Sequence, residues 1–178
     1  EENIKKLEKE YSDIALQLSS KRAKISGILS SLIEDSLKEL NMSGANFEIE
    51  ISRRLKKDSF IDFKNESVQH FPKGIDQVEF LLSANPGEPL KPMASIASGG
   101  EMSRIMLAIK TVFQDQNPVS ALIFDEIDTG ISGKTAKKVS QHLKKLSNHK
   151  QVICITHLPQ IAKQADRHLH ISKHVKNA

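Results

Sequence analysis

Strand-length apolar runs alternate with helical segments in the second half of the chain, and this alternation restricts the fold more than any other feature. Runs at 121–124 and 151–156 have the length of buried strands, and the segment between them, 134–146, has helical spacing of its apolar residues. A strand, a helix and a second strand in succession predict a βαβ unit, with parallel strands buried on both faces. The flanking predictions are a helix at 99–113, a short helix at 159–165 and a last strand at 168–171. The predicted fold class is therefore α/β, a parallel sheet with flanking helices.

The first 40 residues predict one long helix with the heptad spacing of a coiled coil. Its seam residues recur at alternating intervals of three and four, broken only by Lys21, and an amphipathic helix packed on a globular body is the alternative. The seam positions are Ile4, Leu7, Tyr11, Ile14, Leu18, Lys21, Ile25, Ile28 and Leu32. After Leu32 the phase slips, so the helix is expected to enter a globular head. The predicted parts are a coiled-coil arm at 1–40 and a lobe at 41–178.

The start of the lobe predicts strands rather than helices. Alternating apolar and polar residues at 47–51 indicate a half-buried strand, and 78–82 predicts another. The segment around 60–63 is ambiguous and is a candidate for a further strand. Three prolines make 84–92 a loop.

Composition and charge narrow the class of protein. The 178 residues are 38% hydrophobic and 27% charged, as in soluble globular proteins, and no apolar run has the length of a membrane span, so no membrane partner is predicted. The single cysteine, Cys154, excludes an intrachain disulfide and fits a reducing compartment. A net charge of +4 is compatible with nucleic acid, although the basic clusters at 53–57 and 137–138 are equally explained as solvated faces. The chain begins at Glu1 rather than Met, and we expect a fragment or a processed chain.

Ser98, Gly99, Gly100 and Glu101 open the helix predicted at 99–113. A helix N-terminus presents unpaired N–H groups and a positive dipole end, and glycines let the backbone approach a phosphate. The segment is therefore a candidate anion site. Ser-x-x-Glu before an apolar helix is also the pattern of a capping box, and the two roles are compatible.

Polar residues follow both predicted parallel strands. Asp125 and Glu126 come directly after 121–124, where one carboxylate can hold Mg²⁺ and the next can orient a nucleophilic water. His157 follows 151–156 and is expected at the same edge of the sheet. Each feature has an ordinary alternative, an acidic loop or a structural histidine, and their combination is what indicates a catalytic site.

The three features in order closely resemble the second lobe of ABC ATPases, within which they are most similar to the SMC group and its bacterial DNA-repair members. The resemblance covers essentially the whole chain, with the first helix matching the descending coiled-coil arm. It is carried by Asn85-Pro-Gly-Glu-Pro-Leu, Ala97-Ser-Gly-Gly-Glu-Met-Ser-Arg-Ile-Met-Leu-Ala, Phe124-Asp-Glu-Ile-Asp-Thr-Gly-Ile-Ser-Gly and Thr156-His-Leu-Pro-Gln-Ile-Ala. Ala97 departs from the Leu common in the wider superfamily, but the DNA-repair members tolerate that change.

This resemblance implies an ATPase that acts in DNA double-strand break repair and recombination, with ATP and Mg²⁺ as cofactors. It implies that Asp125 helps to hold Mg²⁺, that Glu126 polarises the attacking water and that His157 contacts the γ-phosphate. Asp128 would couple two sites across a dimer of heads. Ser98, Gly99, Gly100 and Glu101 would form the signature segment, which contacts ATP held by the opposite head. The implied partners are DNA, a second copy of the head and an N-terminal lobe that carries the Walker A loop, in the bacterial cytoplasm at the nucleoid.

Several alternatives remain open at the level of sequence. Residues 128–135 nearly match the P-loop pattern, but Asp128 stands where the first glycine belongs and two acids precede it; a true P-loop would make the chain a self-contained NTPase. If it is not one, the chain alone should lack ATPase activity. A non-enzymatic coiled-coil module and a transporter subunit are the other classes. A zinc site at His168, His170 and His174 is disfavoured, because no cysteine or carboxylate pattern completes it. Strands and a coiled-coil partner missing from the chain would expose apolar surface, so we expect self-association.

Overall fold

The computed structural model describes residues 1–95, 99–116 and 118–172, which form two compact units. One unit comprises 1–35 and 44–96, and the other comprises 36–43 and 97–178. The helices are α1 (Glu2–Glu39), α2 (Gly99–Val112), α3 (Gly133–Ser147) and α4 (Pro159–Ala162), with a 3-10 turn at Met93–Ser95. The strands are β1 (Asn46–Ser52), β2 (Asp62–Phe63), β3 (Glu66–Ser67), β4 (Gln77–Ser83), β5 (Lys91–Pro92), β6 (Ala121–Phe124) and β7 (Gln151–Cys154). The predicted boundary between an arm at 1–40 and a lobe at 41–178 stays a prediction.

The first unit contains an antiparallel sheet in the order β1-β4-β5. Asn46 pairs with Ser83 at one end of the β1–β4 ladder and Ser52 with Gln77 at the other. Phe47 is buried, whereas the polar residues that alternate with the apolar ones along β1 are exposed, which is the predicted half-buried pattern. The strands predicted at 47–51 and 78–82 are therefore confirmed.

A short hairpin, β2–β3, lies beside a buried cluster of the first unit. Its turn places Lys64 and Asn65 at φ 56° and 68°, in the left-handed region that two-residue hairpin turns require. The ambiguous segment at 60–63 thus forms only a two-residue strand. This buried cluster comprises Ala15, Ile61, Val68 and Ile75, with Tyr11, Leu16 and Phe63 packed against it.

A buried carboxylate lies beside this core. The side chain of Asp76 is 0% exposed, and its two oxygens lie 3.0 Å from Arg22 Nη1 and 3.2 Å from Arg53 Nη2. Ser19 Oγ donates a third contact at 2.7 Å. The Arg53 guanidinium also stacks on the Phe63 ring, 3.9 Å from its centroid. We call Ser19, Arg22, Arg53 and Asp76 the Asp76 cluster.

The predicted coiled-coil seam of α1 is largely exposed. Ile4, Leu7, Ile14 and Ile28 are all about 60% exposed, whereas Tyr11 turns inward and donates a hydrogen bond to the Phe71 carbonyl oxygen. An apolar stripe of this length on a helix surface is typical of a surface that another helix covers. The coiled coil itself stays a prediction.

The second unit is built on a parallel pair of strands. β6 and β7 run from the Ala121–Gln151 pair to the Phe124–Cys154 pair, and α3 packs against β7, α2 and α4. Phe124 is buried on the helix side, but Ile123 and Ile153, on the opposite face, are 69% and 46% exposed. The strands and their parallel direction are confirmed. Burial on both faces is wrong for the described residues, because helices cover only one side of this pair.

The end of the chain departs from the sequence prediction. No strand forms at 168–171, and Leu169 and Ile171 are 73% and 91% exposed. A strand needs a neighbour to receive its backbone hydrogen bonds, and this segment pairs with none of the described strands. Across the described part of the chain, no helix combines the length and apolarity needed to cross a membrane.

Candidate functional site

The segments that follow β6 and β7 leave the sheet at the same edge. Phe124 lies opposite Cys154 in the parallel register, Asp125 and Glu126 follow directly on one side, and Thr156 and His157 follow on the other. Parallel strands bring their carboxyl ends together, and ligands bind at that edge in open α/β sheets. The predicted convergence of acids and histidine is therefore present in this chain.

The loop after β6, residues 125–130, is held in an unusual backbone conformation. Glu126 has φ 56°, a left-handed geometry that costs a residue with a side chain about 1–2 kcal/mol. Its N–H donates to Asp125 Oδ1 at 2.8 Å, and Ser103 Oγ donates to the Asp125 carbonyl oxygen at 2.7 Å. Asp125 and Glu126 both remain exposed. Strained backbone of this kind concentrates at functional sites, because the surrounding contacts must enforce it. We call 125–130 the acidic loop.

The glycine start of α2 lies against the acidic loop. A Cβ built on Gly99 would collide with Glu126 Oε2, and one on Gly100 would lie 2.9 Å from Thr129 Cβ and 3.2 Å from the Glu126 carbonyl oxygen. The two glycines therefore permit a close approach of helix and loop. Glu101 is half-buried one residue further along. Ser98, the first residue of the predicted signature segment, lies outside the described residues.

Arg104 fixes the same contact from within α2. The residue is 9% exposed, and its Nη1 donates to the Thr129 carbonyl oxygen at 2.9 Å. Burial lowers the pKa of the Arg104 guanidinium, and the Glu101 carboxylate acts in the opposite direction. No role for Ser103 or Arg104 is predicted from the sequence. The sequence signal that could have indicated a buried contact of Arg104 is its place directly before Ile105, on the apolar side of the helix.

Asp128 connects the acidic loop to the segment that carries the histidine. Its Oδ2 accepts hydrogen bonds from Thr156 Oγ1 at 2.5 Å and from the His157 N–H at 2.8 Å, and it lies 3.1 Å from His157 Nδ1. Burial favours a higher pKa for this carboxyl, but the hydrogen bonds from Thr156 and His157 and the nearby imidazole together hold it below its usual value. Asp128 is therefore ionised at neutral pH. A contact between the Asp128 carboxylate and a second head stays a prediction. Such a contact would require Asp128 to give up its hydrogen bonds from Thr156 and His157.

Cys154 lies at the end of β7 but is not reactive. Burial raises the pKa of its thiol to about 11, and the carboxylates of Asp128 and Asp125 add to the shift. A thiol that stays protonated at neutral pH is a poor nucleophile.

The carboxylates at the site suit Mg²⁺ bound together with a phosphate. No cluster of three or more metal-ligating side chains occurs among the residues that the structure describes, so a cage made of protein alone is absent from that part. Mg²⁺ usually takes one or two carboxylates and completes its octahedron with phosphate oxygens and water. Exposed Asp125 and Glu126 match that requirement. His168 and His170 are exposed in the chain after α4, and His174 lies outside the described residues.

The two glycines of α2 are expected to respond differently to an added methyl group. Gly100→Ala should lower the free energy of unfolding by about 1–3 kcal/mol, because Thr129 and the loop backbone are rigid neighbours. Gly99→Ala should change it by less than about 1 kcal/mol, because among the described residues the added methyl group meets only the flexible Glu126 carboxylate. Urea unfolding followed by far-ultraviolet circular dichroism measures both. Equal stability of the two variants would contradict the packing described above.

Solved structures share this architecture. The Smc head domain with an extended coiled coil from Pyrococcus furiosus, bound to the C-terminal domain of ScpA, superposes with a TM-score of 0.55 at 19% identity, covering 86% of this chain and 34% of that one. An SmcHead bound to the C-winged helix domain of ScpA gives a TM-score of 0.52 at 21% identity, covering 91% of this chain and 44% of that one. The chain thus has the α/β fold of SMC head domains.

Sequence comparison identifies the family. Residues 1–178 match the model of the RecF/RecN/SMC N terminal domain, and the chain belongs to the RecF/RecN/SMC family. Within it, the chain is similar to the DNA repair protein RecN of Treponema pallidum (strain Nichols), with 44% identity over 173 residues, 97% of this chain and 29% of the relative. It is 40% identical to the DNA repair protein RecN of Bacillus subtilis (strain 168) over 184 residues, 98% of this chain and 32% of the relative. The chain therefore spans less than a third of the length of either protein.

Proposed function

We propose that this chain forms the C-terminal lobe of an ATP-hydrolysing SMC-type head and acts, as part of a longer protein, in DNA double-strand break repair and recombination. The observation that carries the proposal is the convergence of Asp125, Glu126 and His157 at one edge of the β6–β7 pair. Membership in this family and the similarity to the DNA repair protein RecN support the proposed ATPase activity and the proposal that DNA is a partner. The proposed location is the bacterial cytoplasm, at the nucleoid.

Each residue at this edge has a proposed role in phosphoryl transfer. Asp125 would hold Mg²⁺ through a water molecule, Glu126 would orient the attacking water, and His157 would contact the γ-phosphate. Such transfers depend on positioning and charge stabilisation more than on covalent catalysis, so exposed groups fixed by a rigid loop suit the task. Ser98, Gly99, Gly100 and Glu101 are proposed to form the signature segment, which binds ATP held by a second head.

The proposal requires parts that lie outside this chain. The Walker A loop, which grips the β- and γ-phosphates, is assigned to an N-terminal lobe of the same protein. Ile123, Ile153 and Ile155 support this assignment, because parallel strands are normally covered on both faces and these side chains are exposed on one. The exposed stripe of α1, from Ile4 to Ile28, supports a second coiled-coil helix beside it.

The rival P-loop at 128–135 has little support from the backbone of that segment. A phosphate cradle needs free amides that point inward. Here the N–H groups of Thr129, Ile131 and Thr135 donate to the carbonyl oxygens of Glu126, Asp128 and Ser132, respectively. Lys134, which would reach the phosphates in a P-loop, is exposed at the start of α3.

Phosphate release from ATP tests the proposal. We expect activity in the full-length protein and in a mixture of this chain with its N-terminal lobe, and none in this chain alone. Lys134→Ala is the matched control, because it removes the key cation of the rival P-loop without touching the proposed site. Hydrolysis by the isolated chain that disappears in Lys134→Ala would overturn the proposal in favour of a self-contained NTPase.

A further inference from the structure

We propose that Asp128 is a positioning residue, which fixes the tautomer and orientation of the His157 imidazole. The inference rests on the proposed function of His157 and adds a residue whose action is indirect. We call Thr156–Leu158 the switch segment. Buried Asp128 would hold this segment in place, and the exposed ring of His157 would contact the ligand.

One oxygen of Asp128 organises the whole switch segment. Oδ2 accepts from Thr156 Oγ1 at 2.5 Å and from the His157 N–H at 2.8 Å. Because the Thr156 hydroxyl donates its hydrogen bond to Asp128, its oxygen is free to accept from the Leu158 N–H at 3.1 Å. Two successive backbone amides are thus fixed by one carboxylate, directly or through one hydroxyl.

The same oxygen also selects the state of the imidazole ring. His157 Nδ1 lies 3.1 Å from Asp128 Oδ2, and an ionised carboxylate can only accept there, so Nδ1 carries the proton in the neutral ring. Nε2 is then the nitrogen left for a ligand. The two side chains differ in exposure as this division requires, with Asp128 5% exposed and His157 74% exposed.

Asp128 is itself held by the contacts of the acidic loop. The neighbouring Thr129 carbonyl oxygen accepts from Arg104, and the Thr129 N–H donates to the Glu126 carbonyl oxygen. Glu126 and His157 are therefore both connected to the acidic loop. Glu126 is connected through its carbonyl oxygen, which accepts from the Thr129 N–H, and His157 is connected directly to Asp128 Oδ2. A change at Asp128 should move His157 while leaving Asp125 and Glu126 in place for their proposed contacts.

Steady-state ATP hydrolysis by the full-length protein provides the first test. Asp128→Asn and Thr156→Val are expected to lower kcat by about 10- to 100-fold with little change in KM, as for other residues that orient a functional histidine. Thr156→Ser keeps the hydroxyl and should recover most of the loss. On a His157→Ala background Asp128→Asn should cause no further loss, because both changes then remove the same function. If the double variant instead loses as much as the product of the two single losses in kcat, the inference is overturned.

The ring tautomer provides a second test, which does not depend on activity. Nitrogen-15 chemical shifts of the histidine rings in this chain, assigned with His157→Ala and recorded in alkaline buffer, should show protonated Nδ1 in His157 and its loss in Asp128→Asn. An Nε2–H tautomer in the unchanged chain would contradict the inference. If His157→Ala leaves ATP hydrolysis unaffected, the proposed function of His157 fails, and the nitrogen shifts still decide whether Asp128 positions the ring.

Discussion

Glu126→Gln is expected to lower ATP hydrolysis by the full-length protein by about 100-fold or more, while ATP binding is retained. The amide keeps the size of the side chain but cannot accept a proton from water. Because Glu126 is exposed in the acidic loop, the change disturbs no core packing. Phosphate release gives the rate, and equilibrium binding of a fluorescent ATP analogue gives the affinity. Glu79→Gln, an equally conservative change on the exposed side of β4, is the control and should leave both unchanged.

The backbone at this position permits a sharper comparison. Glu126→Gly and Glu126→Ala both remove the carboxylate, but only glycine adopts φ 56° without strain. We expect both variants to lose hydrolysis and the glycine variant to be more stable than the alanine variant by about 1 kcal/mol. Substantial hydrolysis in either variant would mean that another group activates the water.

Asp76→Ala is expected to destabilise the first unit by about 3 kcal/mol, the largest stability effect that we predict. The change removes the partner of two guanidinium groups and of the Ser19 hydroxyl at once. Arg22 and Arg53 have side chains only 29% and 20% exposed, so water replaces the lost carboxylate incompletely. The penalty lies at the lower end of the range for buried ion pairs, because that residual exposure allows partial hydration.

Tyrosine fluorescence can measure the stability of the first unit separately from that of the second. Tyr11 is the sole tyrosine, the chain has no tryptophan, and Tyr11 packs against the core of the first unit. Urea unfolding followed by tyrosine emission should therefore report on that unit alone. Asp13→Ala, a change of the same kind at an exposed position of α1, should shift the midpoint little. A similar shift in both variants would show that the Asp76 cluster does not stabilise the unit.

Elements with strong periodicity were predictable from the sequence. The long α1 helix, the β1 and β4 strands and the alternation of β6, α3 and β7 all follow from the spacing of apolar residues, which records the face that each element buries. The strand predicted at 168–171 failed because apolar alternation alone does not supply a neighbouring backbone. The burial predicted for both faces of β6 and β7 was wrong in part, because an apolar run does not show whether the described residues supply a cover for each face.

The chemistry of the site was predictable only where a residue type and its place in a strand coincided. The sequence placed Asp125, Glu126 and His157 at the ends of two strands in this way, and their chemical roles stay predictions. The contacts of Arg104 and the anchoring of the switch segment by Asp128 join residues 25 to 29 positions apart through single atoms. No periodic pattern encodes such pairs. The left-handed backbone at Glu126 was also unpredictable, because glutamate is not a residue that signals such geometry.

The bare face of the β6–β7 pair has a consequence for how the protein is maintained in the cell. Ile123, Ile153 and Ile155 form a patch that chaperones and quality-control proteases recognise in incompletely assembled proteins. A segment whose bare face stays uncovered would be refolded or degraded, whereas a covered one would be hidden from both. If the N-terminal lobe of the same protein covers these strands, as proposed, this segment made without that lobe should be short-lived.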